Sequence, residues 1–150
     1  MMNVVANNRK ALHDYQVLES FEAGVVLAGS EVKSLRQGMV SMSDAYGDIR
    51  DAEIYIFNLH IANYKYSGAG KLDPKRRRKI LLKKREIKKL YGLVQQRGNT
   101  LIPLKIYFTE RGHAKIELGV CRRKRLFDKK EKILKKEEEK KIAKFRKIAR

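Results

Sequence analysis

From Lys129 to Arg150 the chain runs through eleven basic and four acidic residues without a single Gly or Pro. No compact core can absorb such a stretch, because every buried charge without a partner is expensive. Whatever folds must fold upstream, so the chain divides into a domain over 1–127 and a basic tail over 128–150. Leu134, Ile142, Phe145 and Ala149 give the tail only a thin apolar stripe. A lone helix this charged is marginal in water. The tail is therefore expected to be disordered when free and helical on a polyanion that neutralises its self-repulsion.

The remaining composition points the same way. A net charge of +19 over 150 residues destabilises a compact state unless a negative partner offsets it. Nucleic acid is the first candidate and an anionic membrane surface the second. An apolar content of 43% still allows a core. Cys121 is the sole cysteine, which excludes an intramolecular disulfide and reads as a small buried residue. The first residues lack the charged flank and apolar run of a signal peptide. No apolar stretch approaches the roughly 20 residues that span a bilayer. The expectation is a soluble, cytoplasmic monomer without a membrane partner.

The folded part reads as mainly β with some α. Tyr15–Phe21 and Ala23–Gly29 are apolar runs separated by Glu22, and are expected as two strands. Ala45–Arg50 and Glu53–His60 flank Asp51-Ala52 as a hairpin. Between the two pairs, Ser30 is an expected N-cap for a short helix that stops at Gly38, with Val32 and Leu35 on one face. Residues Lys71–Lys89 carry eleven basic and two acidic side chains, opening as a loop at Asp73-Pro74. Ile80-Leu81-Leu82 reads as a short buried run. Ile87, Leu90, Tyr91 and Val94 then mark the buried stripe of a helix over 84–96. Thr100–Phe108 and Lys115–Val120 form a second hairpin across Arg111-Gly112, with Pro103 at an edge position or an irregular strand start. At least six short strands predict a closed or partly closed six-stranded barrel with about three flanking helices.

Catalytic chemistry finds little support. His13, His60 and His113 are far apart, and none stands in metal-ligand spacing with Cys121. The chain shows neither a Walker-type phosphate loop nor a nucleophile elbow. Asp14, Glu19, Glu22, Glu31, Asp44 and Asp48 read as solvated carboxylates rather than a Mg²⁺-dependent nuclease site. No enzyme, metal or cofactor is expected. Glu31 stands out, as an acid beside Lys33 and Arg36. It reads either as a helix-start carboxylate favoured by the dipole or part of a surface charge set, or as an acceptor that orients those cations toward phosphate or accepts from a base edge. Asn8-Arg9-Lys10 reads as a solvated arm. Tyr55, Phe57, Tyr64 and Tyr66 lie near His60 and the basic loop, where bases could stack on them. Aromatics alternating along a strand are more often core, so Tyr55 and Phe57 are not both expected at the surface.

Several blocks carry a resemblance to a known family. They are Asn8-Arg9-Lys10-Ala11 with His13-Asp14-Tyr15, Gly29–Arg36 with Gly38, and Asp44-Ala45-Tyr46. Asn58-Leu59-His60-Ile61 with Tyr64, Asp73–Arg76 leading to Lys79–Leu82, Lys84–Ile87, Pro103-Leu104-Lys105 and Glu117-Leu118-Gly119 complete the set. Over nearly its whole length the chain resembles the small protein B family, partners of bacterial transfer-messenger RNA (SsrA RNA). The resemblance implies an oligonucleotide-binding-type barrel that binds the tRNA-like domain of that RNA. It implies delivery of the RNA to stalled ribosomes for trans-translation, with elongation factor Tu and alanyl-tRNA synthetase as indirect partners. It assigns the RNA surface to Asn8, Arg9, Lys10, Glu31, Lys33, Arg36, Asn58 and His60. Lys124, Arg125, Phe127, Asp128, Lys129 and Lys130 match the tail signature. The tail would lie in the empty mRNA channel against small-subunit RNA, with Phe127 on a decoding-centre base. From charge alone, a basic structural ribosomal protein is the alternative.

Overall fold

The computed structural model describes residues 3–64 and 72–124. Tyr66 and the segment from Arg125 onward, with Phe127, Asp128, Lys129 and Lys130, lie outside the described residues. In chain order the elements are β1 (Asn3–Asn7), α1 (Arg9–Asp14), β2 (Tyr15–Val25), α2 (Gly29–Arg36), β3 (Val40–Ser41) and β4 (Tyr46–Arg50). They continue with β5 (Glu53–Phe57), β6 (His60–Ile61), β7 (Arg78–Leu81), α3 (Lys84–Gln95), β8 (Asn99–Phe108) and β9 (Ala114–Arg123).

Seven strands join in the order β1-β8-β4-β5-β7-β2-β9, and β9 returns to pair with β8. The antiparallel pairings therefore run in a ring through six strands, with β1 added along β8. This is a mainly β chain with three helices, as expected. The sheet holds seven strands rather than six, and β3 and β6 form a separate pair.

Period-2 alternation builds the core. Ile54 and Ile56 of β5, Ile80 of β7, Leu101 and Ile106 of β8, and Ile116, Leu118 and Val120 of β9 form one buried cluster. Leu35 from α2 and Leu90 from α3 are buried in it too. On α3 the stripe is Ile87, Leu90, Leu93 and Val94, while Tyr91 stands 54% exposed against expectation. In β7 only Ile80 of the Ile80-Leu81-Leu82 run is buried, because alternation turns Leu81 outward.

Other elements differ from the sequence reading. The two runs around Glu22 are one continuous strand of 11 residues. Glu22 is exposed opposite Glu117 of β9, and a polar side chain on the outer face of a strand does not interrupt it. The Asn8-Arg9-Lys10 arm is structured instead. Asn8 caps α1 by accepting from the Ala11 N–H at 3.1 Å. The α2 cap is Ala28 rather than Ser30. Pro103 lies inside β8, at a register shift between Pro103 and Lys105.

Candidate nucleic-acid interface

Helix α2 holds Glu31 in its first turn, where the carboxylate accepts the Ala28 N–H at 2.9 Å. Its cationic partners are not Lys33 and Arg36. They are Arg76 and Arg78, from the basic segment 45 and 47 residues downstream. Arg78 Nε donates to Glu31 Oε2 at 2.8 Å and Arg76 Nε to the same oxygen at 3.1 Å. Both guanidiniums also engage the carboxylate through Nη2. The Glu31 and Arg78 side chains are only 5% and 0% exposed, whereas Arg76 keeps 32%. The spacing explains the geometry, since residues 76, 78 and 80 share one face along β7 and its approach. That face turns Ile80 into the core and Arg78 toward Glu31.

Arg78 also donates to the carbonyls of Leu59, through Nη1, and Pro74, at 3.0 Å. One buried guanidinium thus ties together α2, the turn at Asn58-Leu59 and the basic loop. Burial by itself would raise the Glu31 pKa. Hydrogen bonds from Arg76, the Ala28 amide and Arg78 outweigh it and hold the carboxyl below its ordinary range. Burial lowers the Arg78 pKa, against the pull of Glu31.

The other sequence-assigned residues are spread over several elements. Lys33 and Arg36 are exposed on α2, Lys33 at 5.4 Å from the Tyr64 ring and Arg36 at 4.5 Å from the Phe108 ring. Asn58 is exposed in a left-handed turn (φ 60°), a conformation Asn tolerates well. His60, in β6, pairs with Ser41 of β3. Next to Ser41, the carbonyl of Met42 accepts from Asn8 Nδ2 at 3.2 Å. Asn8 also donates to the Pro103 carbonyl at 2.9 Å, and it is buried. Its side chain is engaged inside the protein and braces the α1 region against β8. Arg9 and Lys10 stand exposed on α1, Lys10 at 3.7 Å from Asp44. Lys124 closes the described chain, its N–H donating to the Asp14 carbonyl at 2.8 Å.

Tyr55 and Phe57 both lie on the outer face of β5, because the intervening Ile56 takes the core side. Arg77 covers Tyr55 and Arg50 covers Phe57, each at 4.5 Å. Phe57 stacks on Tyr46 at 5.5 Å. Cys121 is buried, which pushes its thiol up to about 11. Among the described residues no three His, Cys, Asp or Glu gather as a metal site, and no helix is long and apolar enough to cross a membrane.

The missed residues are Arg76 and Arg78. Their signal was the two-residue spacing with Ile80, hidden within a run of five consecutive cations.

Comparison with known proteins places the chain in a family. The family model described as SmpB protein matches residues 5–148. An SsrA-binding protein of Pseudothermotoga lettingae is 51% identical over 141 residues, covering 94% of this chain and 95% of the relative. One from Thermus thermophilus is 49% identical over 128 residues, covering 85% and 89%. A solved chain described as "tmRNA-SmpB: a journey to the center of the bacterial ribosome" superposes with a TM-score of 0.70 at 50% identity, covering 82% of this chain and 85% of that one. A buried Glu31 held by Arg76 and Arg78 thus sits in a sequence matched to one family almost from end to end, and the chain belongs to the SmpB protein family.

Proposed function

We propose that this protein is an RNA-binding adaptor that binds the tRNA-like domain of transfer-messenger RNA and delivers it to stalled ribosomes for trans-translation. The observation that carries this reading is the 51% identity with an SsrA-binding protein across 94% of the chain. The ring of antiparallel pairings supports an oligonucleotide-binding-type barrel over 1–127. Lys33, Arg36, Arg9, Lys10, Asn58 and His60 supply the RNA contacts, joined by the partly exposed Arg76. Glu31 and Asn8 act from inside as positioning residues: Glu31 aims Arg76, and Asn8 anchors the segment that carries Arg9 and Lys10. Lys124 leads into a tail in which Arg125, Phe127, Asp128, Lys129 and Lys130 meet ribosomal RNA in the vacant mRNA channel.

The test is competition binding of the full chain to the tRNA-like domain against excess bulk tRNA, at physiological salt. A retained complex supports reading of one RNA shape. Complete loss to bulk tRNA would reduce the interaction to charge and overturn the adaptor assignment.

A further inference from the structure

One cavity is not used by the surface around Glu31. It opens where α1, the 43–46 segment and the beginning of β8 meet the end of β9, and it encloses about 360 Å³. Small-ligand sites start at roughly 300 Å³. Lys10, Asp14, Asp44, Tyr46, Thr100 and Arg123 contribute to its walls. Asn8 also lines it, but its amide already donates to the Met42 and Pro103 carbonyls, so it is wall rather than ligand group.

The cavity sets carboxylates beside cations. Two carboxylates line one opening in a chain of net charge +19: Asp14, bonded to His13 Nδ1 at 2.9 Å, and Asp44, 65% exposed and paired with Lys10. A site for phosphate alone has no use for them, because like charges repel. Carboxylates do accept the amino N–H of a base edge, as acidic side chains do from cytosine N4. Lys10, the ion-pair partner of Asp44 at 3.7 Å, and Arg123 supply positive charge for a phosphate. At the rim stands Tyr46, 37% exposed and backed by Phe57, itself under Arg50. Such a supported ring offers a face for stacking an unpaired base.

We infer that this cavity takes one unpaired nucleotide of the bound RNA, with a base that carries an exocyclic amino group. Asp44 accepts the amino N–H, Tyr46 lies against the base, and Lys10 and Arg123 hold the phosphate. A uracil presents a carbonyl where cytosine presents the amino group and is rejected by Asp44. The inference rests on the RNA-adaptor reading and names a contact within it.

The sign of one substitution separates this from bulk electrostatics. On charge alone, Asp44→Ala removes a negative group from a basic protein and tightens RNA binding. The cavity site requires the opposite: about tenfold weaker binding of the tRNA-like domain, with binding of bulk tRNA unchanged or tighter. Unchanged or tighter binding of the tRNA-like domain overturns the site. Amide chemical shifts of the wild-type full chain, titrated with cytidine 5′-monophosphate and separately with uridine 5′-monophosphate, judge it without any variant. Movement at Asp44, Tyr46 and Thr100 with the cytidine probe alone supports the site. Equal response to both probes, or movement confined to surface lysines and arginines, overturns it. If the wild type does not prefer the tRNA-like domain to bulk tRNA, the adaptor reading fails, while the two-nucleotide comparison still decides the cavity.

Discussion

Glu31 and Arg78 are held as charges where water hardly reaches, and their mutual neutralisation permits it. Removing one partner of a buried pair leaves the other uncompensated, at a cost of about 3–5 kcal/mol. Glu31→Ala is therefore expected to lower the unfolding free energy by about that amount in a guanidinium titration, besides weakening RNA binding. Replacing both charges with apolar groups removes the uncompensated charge, so Glu31→Leu combined with Arg78→Met should recover part of the stability, the Leu59 and Pro74 carbonyls and Arg76 still lacking their partners, but not the RNA affinity. The pH dependence follows from the same pair. The folded carboxyl titrates below its ordinary value, so its stabilisation is complete above about pH 4.5. It is lost as the pH falls through the depressed value. Thermal unfolding between pH 5 and 3 should fall more steeply for the wild type than for the double variant. A carboxylate at the start of a short helix was readable as unusual from its neighbours. Its partners were not, because pairing across 45 residues depends on how β7 passes α2.

At the scale of elements, the β4–β5 hairpin makes the clearest test. Its turn residues Asp51 and Ala52 have φ of 52° and 61°, left-handed positions that burden a residue with a Cβ by about 1–2 kcal/mol. Glycine relieves that strain and loses part of the gain to chain entropy. Ala52→Gly is expected to stabilise by about 0.5–1 kcal/mol in equilibrium denaturation. Gly47 lies in the same hairpin, opposite Leu101 of β8. A Cβ there would stand 2.8 Å from the Leu101 Cβ, which is fixed to the backbone and cannot swing away. Gly47→Ala should destabilise by about 1–3 kcal/mol and loosen the ring at its β4–β8 pairing, seen as faster amide exchange at Gly47 and Leu101. The hairpin was legible because two short alternating strands met across two turn residues. The β2 strand was misread as two because Glu22 resembles a break, when alternation alone places it outside.

Across the whole molecule, charge sets the behaviour. Neutralising several phosphates releases counterions, so RNA affinity should fall steeply with salt, and Arg76→Met should reduce the slope of log K against log salt by about 0.7–0.9. Truncation after Leu126 removes the tail while keeping every described strand and helix. The shortened protein is expected to retain preferential binding of the tRNA-like domain and to lose tagging on stalled ribosomes in a reconstituted translation assay. Full tagging by the truncated chain would remove the tail from the mechanism.

Properties local to the chain were determined by the sequence itself: the charge that calls for a polyanion, the strand periods, helices α2 and α3 and the hairpin turn. Each depends on residues close together, where alternation, capping and charge density act directly. Tertiary structure alone decided that Asn8 faces inward, that Tyr55 and Phe57 share the outer face beneath two guanidiniums, and that Glu31 belongs to Arg76 and Arg78. The physical reason is burial. Whether a polar side chain can be withdrawn from water depends on which distant donors the ring of strands brings to it.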